Sequence, residues 1–400
     1  YSRELSTIST APTTTTTIYI INLSISKKES ATMHIICPRE ELQKGVSIVS
    51  KAVSNKTTMP ILECILIQTK EGRILMTAND MELGIETEIH GIIEDNGRIA
   101  IDAKIFSEIV RRLPDNDISI ETDGTDSVKI QCEKINFTIP GKNADEFTFL
   151  PEVERLNCVT LSQFTLKEII RQTIFSISDN ENNKMMAGEL LEINGNNLRI
   201  VSLDGHRISI RKIVLKDSYD SIKVVVPGKT LNEVSKIISG GTDDEVRLYF
   251  TENHVMFEFD DTIVVSRLIE GEYFRIDQML NSDYDTKLTV NKKEMLSCID
   301  RTTMLIKDSD KKPIIIGITD HSMEVKLNSA YGSMKEELAI DKRGKDIMIG
   351  FNPKFLIDAL RVIDDEMINI YMINPKAPCF IRNDEGTYIY LILPVNFNVY

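Results

Sequence analysis

Apolar positions along this chain recur with two periods, and segments of the two kinds follow one another in a fixed order. Phe106, Ile109, Val110 and Leu113 mark one face of a helix, as do Leu231, Val234 and Ile238, and then Leu356, Ala359, Leu360 and Ile363. Each segment follows a short strand-like run, Arg98 to Ile101, Lys223 to Val226 or Ile347 to Gly350, and stops at Pro114, at Gly240-Gly241 or near Asp364-Asp365. Upstream of each lies a second helical pattern: Leu42, Val46, Val49 and Val53; Leu166, Ile169, Ile170, Thr173 and Ile174; Met295, Ile299 and Ile306. Between and after them come alternating runs with turn residues, which predict antiparallel hairpins. Ile65 to Thr69 and Ile74 to Thr77 flank Glu71-Gly72; Leu190 to Ile193 and Leu198 to Ser202 flank Asn194-Gly195.

The order repeats three times. Lys104-Ile105-Phe106-Ser107-Glu108-Ile109, Lys229-Thr230-Leu231-Asn232-Glu233-Val234 and Lys354-Phe355-Leu356-Ile357-Asp358-Ala359 share one pattern, and their lysines are spaced by 229 − 104 = 125 and 354 − 229 = 125 residues. The expected fold class is α+β, three similar domains with two helices each on an antiparallel sheet. The boundaries read as 33–156, 157–283 and 284–400. Residues 1–32, Ser/Thr-rich with a Thr13 to Thr17 homopolymer, read as a disordered leader or artificial extension. Three tandem domains joined for no common purpose are the plainer alternative.

A chain of 400 residues exceeds what one core usually fills, in keeping with several domains. Cys37, Cys64, Cys132, Cys158, Cys298 and Cys379 stand apart without a C-x-x-C pair and the five histidines are scattered, so neither a metal centre nor a cofactor is expected. Reduced thiols suit a cytoplasmic protein. The apolar run Ile18 to Ile25 is too short to span a bilayer. A net charge of −14 argues against strong nucleic-acid binding overall, although it does not settle local charge. Asp204 and His206 could be an acid/base pair, but no nucleophile, metal set or phosphate loop accompanies them, so no enzyme is expected. Asp204-Gly205 reads better as a turn, with His206 lining or capping a pocket.

Five stretches resemble the bacterial DNA sliding clamp, the beta subunit of DNA polymerase III. They are Thr58-Met59-Pro60-Ile61-Leu62, Thr77-Ala78-Asn79-Asp80-Met81-Glu82-Leu83, Leu203-Asp204-Gly205-His206-Arg207, Val224-Val225-Val226-Pro227-Gly228-Lys229 and Tyr390-Leu391-Ile392-Leu393-Pro394-Val395. Their order, with the triple repeat, carries the resemblance from Met33 to about Phe397.

The resemblance implies a processivity factor: a head-to-tail homodimer closing into a six-domain ring around duplex DNA, holding the replicative polymerase, the clamp loader and repair proteins through short linear motifs. It places Lys44, Lys51, Lys104, Arg111, Arg112, Lys167, Arg171, Lys229, Lys236, Arg301, Lys354 and Arg361 on the inner wall, and Lys56 in a loop where the family commonly has a DNA-touching arginine. A peptide groove is implied between Met186, Leu203, Gly205, His206, Arg207 and Ile208 on one side and Phe274, Met279, Asn352, Phe355, Leu391, Leu393, Pro394 and Val395 on the other. Phe137 and Ile139 are to meet Met304 and Leu305 across the dimer contact. The sequence departs from the family at Tyr273-Phe274-Arg275-Ile276, where Phe-Pro-Asp-Tyr is common, and at the extra C-terminal Asn398, Val399 and Tyr400. The other reading is a tandem-repeat scaffold that binds only proteins and forms no ring.

Overall fold

A computed structural model describes residues 32–397 apart from Asn55, Thr125, 179–182, 281–282 and 308–311. The expected leader therefore falls outside the described residues except for Thr32, which opens the first strand, and so do Asn398 to Tyr400.

Among the described residues six α-helices stand where the apolar spacing put them: α1 (Arg39–Val49), α2 (Ala103–Arg112), α3 (Gln163–Thr173), α4 (Gly228–Ile237), α5 (Lys292–Thr303) and α6 (Pro353–Val362). Polar side chains fix several starts by accepting from a free backbone N–H of the first turn: Asp102 from Ile105, Ser162 from Thr165, Asn291 from Glu294 and Asn352 from Lys354. The helices pack in pairs, α1 with α2, α3 with α4 and α5 with α6. In each pair a cation from the first helix reaches carbonyls at the end of the second. Arg39 donates to Val110 and Arg111, Lys167 to Ile238 and Lys292 to Ile363. Those carbonyls lack intrahelical partners and carry the negative end of the helix dipole.

Under the helices the strands form sheets that run from one repeat into the next. Strand Leu83–Ile89 of the first repeat pairs with Thr262–Arg267 of the second, and the start of Arg207–Pro227 in the second pairs with Tyr388–Ile392 of the third. The two joints have the same register. Thr87 faces Thr262 and Leu83 faces Ser266 at the first; Arg211 faces Tyr388 and Arg207 faces Ile392 at the second. Moving the first pair by 211 − 87 = 124 and 388 − 262 = 126 residues reproduces the second.

One expected hairpin is not formed. Leu190 to Ile193 and Leu198 to Ser202 do not pair with each other but lie along one long strand, Gly188–Leu203, antiparallel to Arg207–Pro227. Asn194-Gly195 is an irregularity within it, with Gly195 at φ +60°, and the hairpin turn falls at Asp204-Gly205 instead. A bulge and a two-residue turn ask for the same residue types, so the sequence pattern could not separate them.

Glu189, on the same long strand, is fully buried, and among the described residues neither carboxyl oxygen has a hydrogen-bond partner. Burial pushes its pKa up to about 8; the nearby Thr173 hydroxyl, whose proton goes to the Ile169 carbonyl at 2.8 Å, offsets little of this. The folded chain thus holds a proton that the unfolded chain releases near its ordinary 4.5. Stability falls as pH rises from 4.5 toward 8 and levels off above that, by up to about 1.4 kcal/mol per pH unit in the window. Urea titrations across that range should show Glu189→Gln losing this slope; an unchanged slope would contradict a neutral buried Glu189.

Candidate functional site

At the second joint the paired strands leave a cleft of about 150 Å³, lined by Met186, Leu203, Gly205, His206, Arg207, Ile208, Phe274, Ile276, Met279, Leu391 and Leu393. Its mouth is the Asp204 turn. The Asp204 carboxylate accepts from the backbone N–H groups of His206 (2.9 Å) and Arg207 (3.1 Å), and Gly205 takes φ +87°, which a residue without a Cβ adopts at no steric cost. The strand from the third repeat is fixed against the turn by Leu393, whose N–H donates to the His206 carbonyl at 2.8 Å. The floor is aliphatic; Phe274 and Met279 stand half-exposed at the rim.

Arg207 holds the cleft's frame. It is 7 % exposed, and its guanidinium binds Asp204 at 2.9 Å, Asp358 of α6 at 2.7 Å and the Phe175 carbonyl after α3 at 2.6 Å. It also lies 4.7 Å from the Phe355 ring centroid, and the His206 ring stacks on the same ring at 5.8 Å. One cation thereby ties the turn of the second repeat to a helix of the third.

Most of the expected groove residues converge on this cleft, and four do not line it. Phe355 backs His206, and Asn352 caps α6. Pro394 and Val395 lie past the end of the strand and beyond the cleft, with the Val395 N–H donating to the Gly350 carbonyl. Ile276, buried within the divergent Tyr273 to Ile276 stretch, belongs to the lining and was missed because its neighbours depart from the family pattern.

The thirteen expected DNA-contacting cations divide into two groups. Lys44, Lys51, Lys56, Lys104 and Lys354 make no ion pair among the described residues, and all but the half-buried Lys51 are exposed. The others are engaged. Lys167 caps α4, and Arg171 is held by Glu168 at 2.6 Å, Asp364 at 3.1 Å and the Val362 carbonyl. Lys229 pairs with Asp80, Lys236 with Glu233, Arg111 and Arg112 with Glu108, Arg301 with Glu336 and Arg361 with Asp300. Lys167 and Arg171 sit between elements and are fixed by them, which helical spacing alone could not reveal.

Of the expected dimer residues, Phe137 lies 38 % exposed on strand Ile135–Lys142 and Ile139 is half-buried beside it. Met304, 76 % exposed, and the half-buried Leu305 follow α5. Among the described residues the two pairs are not brought together in one chain; they sit on the first and the third repeat.

Comparisons with known proteins show what the whole chain is similar to. Family models described as the N-terminal, central and C-terminal domains of the DNA polymerase III beta subunit match residues 33–151, 160–274 and 277–396. A beta sliding clamp of Staphylococcus epidermidis is 31% identical over 356 residues, covering 86% of this chain and 94% of that protein. A crystal structure of a putative DNA polymerase III beta subunit from Eubacterium rectale is 66% identical, with TM-score 0.90, over 92% of this chain and 100% of that one. The DNA polymerase sliding clamp of Bacillus subtilis is 31% identical, with TM-score 0.89, over 92% and 100%.

Arg207→Ala is expected to cost about 3–5 kcal/mol of stability, because it leaves Asp204 and Asp358 facing each other half-buried without their cation. Denaturant titration measures it; a loss below about 1 kcal/mol would mean that solvent screens this pair.

Proposed function

The chain belongs to the DNA polymerase III beta subunit family, the bacterial sliding clamps, and from that premise we propose how its surfaces are used: two copies close head to tail, six helix pairs line the opening, and the cleft at the second joint receives short linear motifs of partner proteins. Sliding clamps are non-enzymatic processivity factors, and the physical task is to stay on DNA without gripping a sequence. Encirclement supplies persistence. Weak contacts between lysines and phosphates carry no base information, so the ring can move.

The observation that carries ring closure is the register of the joints. Each joint uses one strand from the first half of a repeat and one from the second half of the next. Two joints use up two copies of each, leaving strand Gly332–Ala339 of the third repeat and the 135–139 stretch of the first repeat each with an unpaired edge among the described residues. An edge of free N–H and C=O groups invites pairing. The hairpin ladders fix the equivalences. Ser127 opposite Pro140 corresponds to His254 opposite Arg267, a shift of 267 − 140 = 127; Asn328 opposite Ser333 corresponds to Leu203 opposite Ile208, a shift of 333 − 208 = 125. Carried through these shifts, the pairs Val264 with Ile85 and Tyr390 with Ser209 become Phe137 with Met334 of the partner subunit.

A side-chain contact repeats in the same way. Phe175, after α3, packs 5.8 Å from Tyr390 across the second joint. With α3 and α5 aligned on their caps Ser162 and Asn291, a shift of 291 − 162 = 129, Phe175 corresponds to Met304. Met304 then covers Phe137 of the partner subunit, and its exposure in the single chain becomes burial in the ring. The joints tie the three modules, for which we keep the limits 33–156, 157–283 and 284–400, into one arc. Lys44, Lys56, Lys104 and Lys354, exposed and without ion pairs, are the first-choice phosphate contacts.

The cleft suits a peptide: an apolar slot framed by a rigid turn takes one or two aliphatic or aromatic side chains, while backbone groups set register. Loaded by its clamp loader, the protein should remain on nicked circular DNA and run off the same DNA once linearised. A scaffold without a ring would show no such dependence. Register is tested separately. Phe137→Cys combined with Met334→Cys should give a covalent dimer on mild oxidation, because directly opposed antiparallel residues lie within disulfide reach. Either substitution alone should not, and a dimer that crosslinks equally well through Phe137→Cys with Leu338→Cys would contradict the register.

A further inference from the structure

The first joint carries a cleft built like the one at the second. In both, an Asp opens a turn and accepts from the N–H groups two and three residues further on. Asp80 takes those of Glu82 (3.0 Å) and Leu83 (2.8 Å), as Asp204 takes those of His206 and Arg207. In both, the incoming strand donates an N–H to the turn: Arg267 to the Glu82 carbonyl at 2.9 Å, Leu393 to that of His206 at 2.8 Å. The cleft has a volume of about 240 Å³, and Asn79, Gly84 and Val265 stand where Leu203, Ile208 and Leu391 stand in the other. The final stretch of the first repeat supplies the remaining wall with Phe149 and Pro151, held by the Asn79 amide, which donates to the Thr148 carbonyl at 3.0 Å.

Two features separate this cleft from a vestige of the repeat. Met81 occupies the position of Gly205 at φ +77°, a backbone region costly for any side chain, and is 54 % exposed; Phe149 beside it is 48 % exposed. A large apolar side chain is thus kept at the mouth against backbone preference. The turn also carries a charge that its counterpart lacks. Glu82 replaces His206, is exposed, and its carboxylate makes no ion pair among the described residues, whereas Arg267 at the far rim has Glu270 at 3.7 Å. The free charge at the rim is therefore negative.

We infer that the cleft between Met81, Phe149 and Glu82 at the first joint is a second docking site, for a short extended peptide of a partner protein that carries an aliphatic or aromatic side chain next to a basic one. It rests on the reading of the second-joint cleft as a peptide groove, whose geometry it shares. Having equivalent turns, the two clefts present the same edge of their hairpins.

The test uses the full chain labelled with ¹³C at methionine methyl groups, with Met81 reporting the first cleft and Met279 the second; Met81→Leu and Met279→Leu assign the signals. Two capped hexapeptides are the probes, Gly-Lys-Leu-Phe-Lys-Gly and Gly-Asp-Leu-Phe-Asp-Gly. The lysine peptide should shift the Met81 signal at a concentration about fivefold lower than the aspartate peptide at low salt, and Glu82→Lys should reverse the order. A response at Met279 with none at Met81 would overturn the second site and leave the groove reading intact. Movement of Met81 by both peptides alike, or an order unaffected by Glu82→Lys, would also overturn it. A response at Met81 alone would support the second site and count against the groove reading.

Discussion

The architecture depends on backbone pairing across the repeat joints. Each joint satisfies the edge of a strand that would otherwise be exposed, and it does so in one register at two places in the chain. A register slip by one residue would turn every side chain of the strand over, so the pairing also determines which residues reach the cleft. The side chains at the joints differ. Where the second has Arg207 bound to two carboxylates and a carbonyl, the first has Lys229 reaching Asp80. Common hydrogen bonding with unlike side chains is what allows similar joints to carry different clefts.

The acidity of the chain and its role on DNA are compatible because the charge is divided locally. Several helix cations are neutralised by carboxylates on the same helix or on a nearby segment, as Arg171 is by Glu168 and by Asp364 just after α6. The exposed lysines without such partners, Lys44, Lys56, Lys104 and Lys354, are spread over three helices and a loop rather than gathered in one patch. A diffuse set of point charges favours weak, exchangeable phosphate contacts over a fixed seat.

Much of this was legible in the sequence, for a physical reason. Helix faces show themselves through local spacing, so the buried positions of α1 to α6 followed from Leu42, Phe106, Leu166, Leu231, Met295, Leu356 and their neighbours. The 125-residue lysine spacing gave the repeat and the family stretches gave most of the cleft lining. What escaped was non-local. Nothing in Asn194-Gly195 says whether the chain reverses or bulges there, because the answer lies with the partner strand. Nothing near Lys167 says that it will cap α4, nor near Glu189 that its carboxyl will be buried without a partner. The equivalence of the two clefts needed the register of both joints before it could be seen.

On this reading three modules form an arc whose helices face inward and whose ends match. Electron cryomicroscopy of the purified full chain tests it most directly. Class averages should show a closed two-chain ring with helix pairs around an opening wide enough for a duplex, and density joining the 135–139 stretch of one protomer to the 332–339 strand of its partner. A single chain at all concentrations, or modules in a line with their helices on the outer surface, would contradict it.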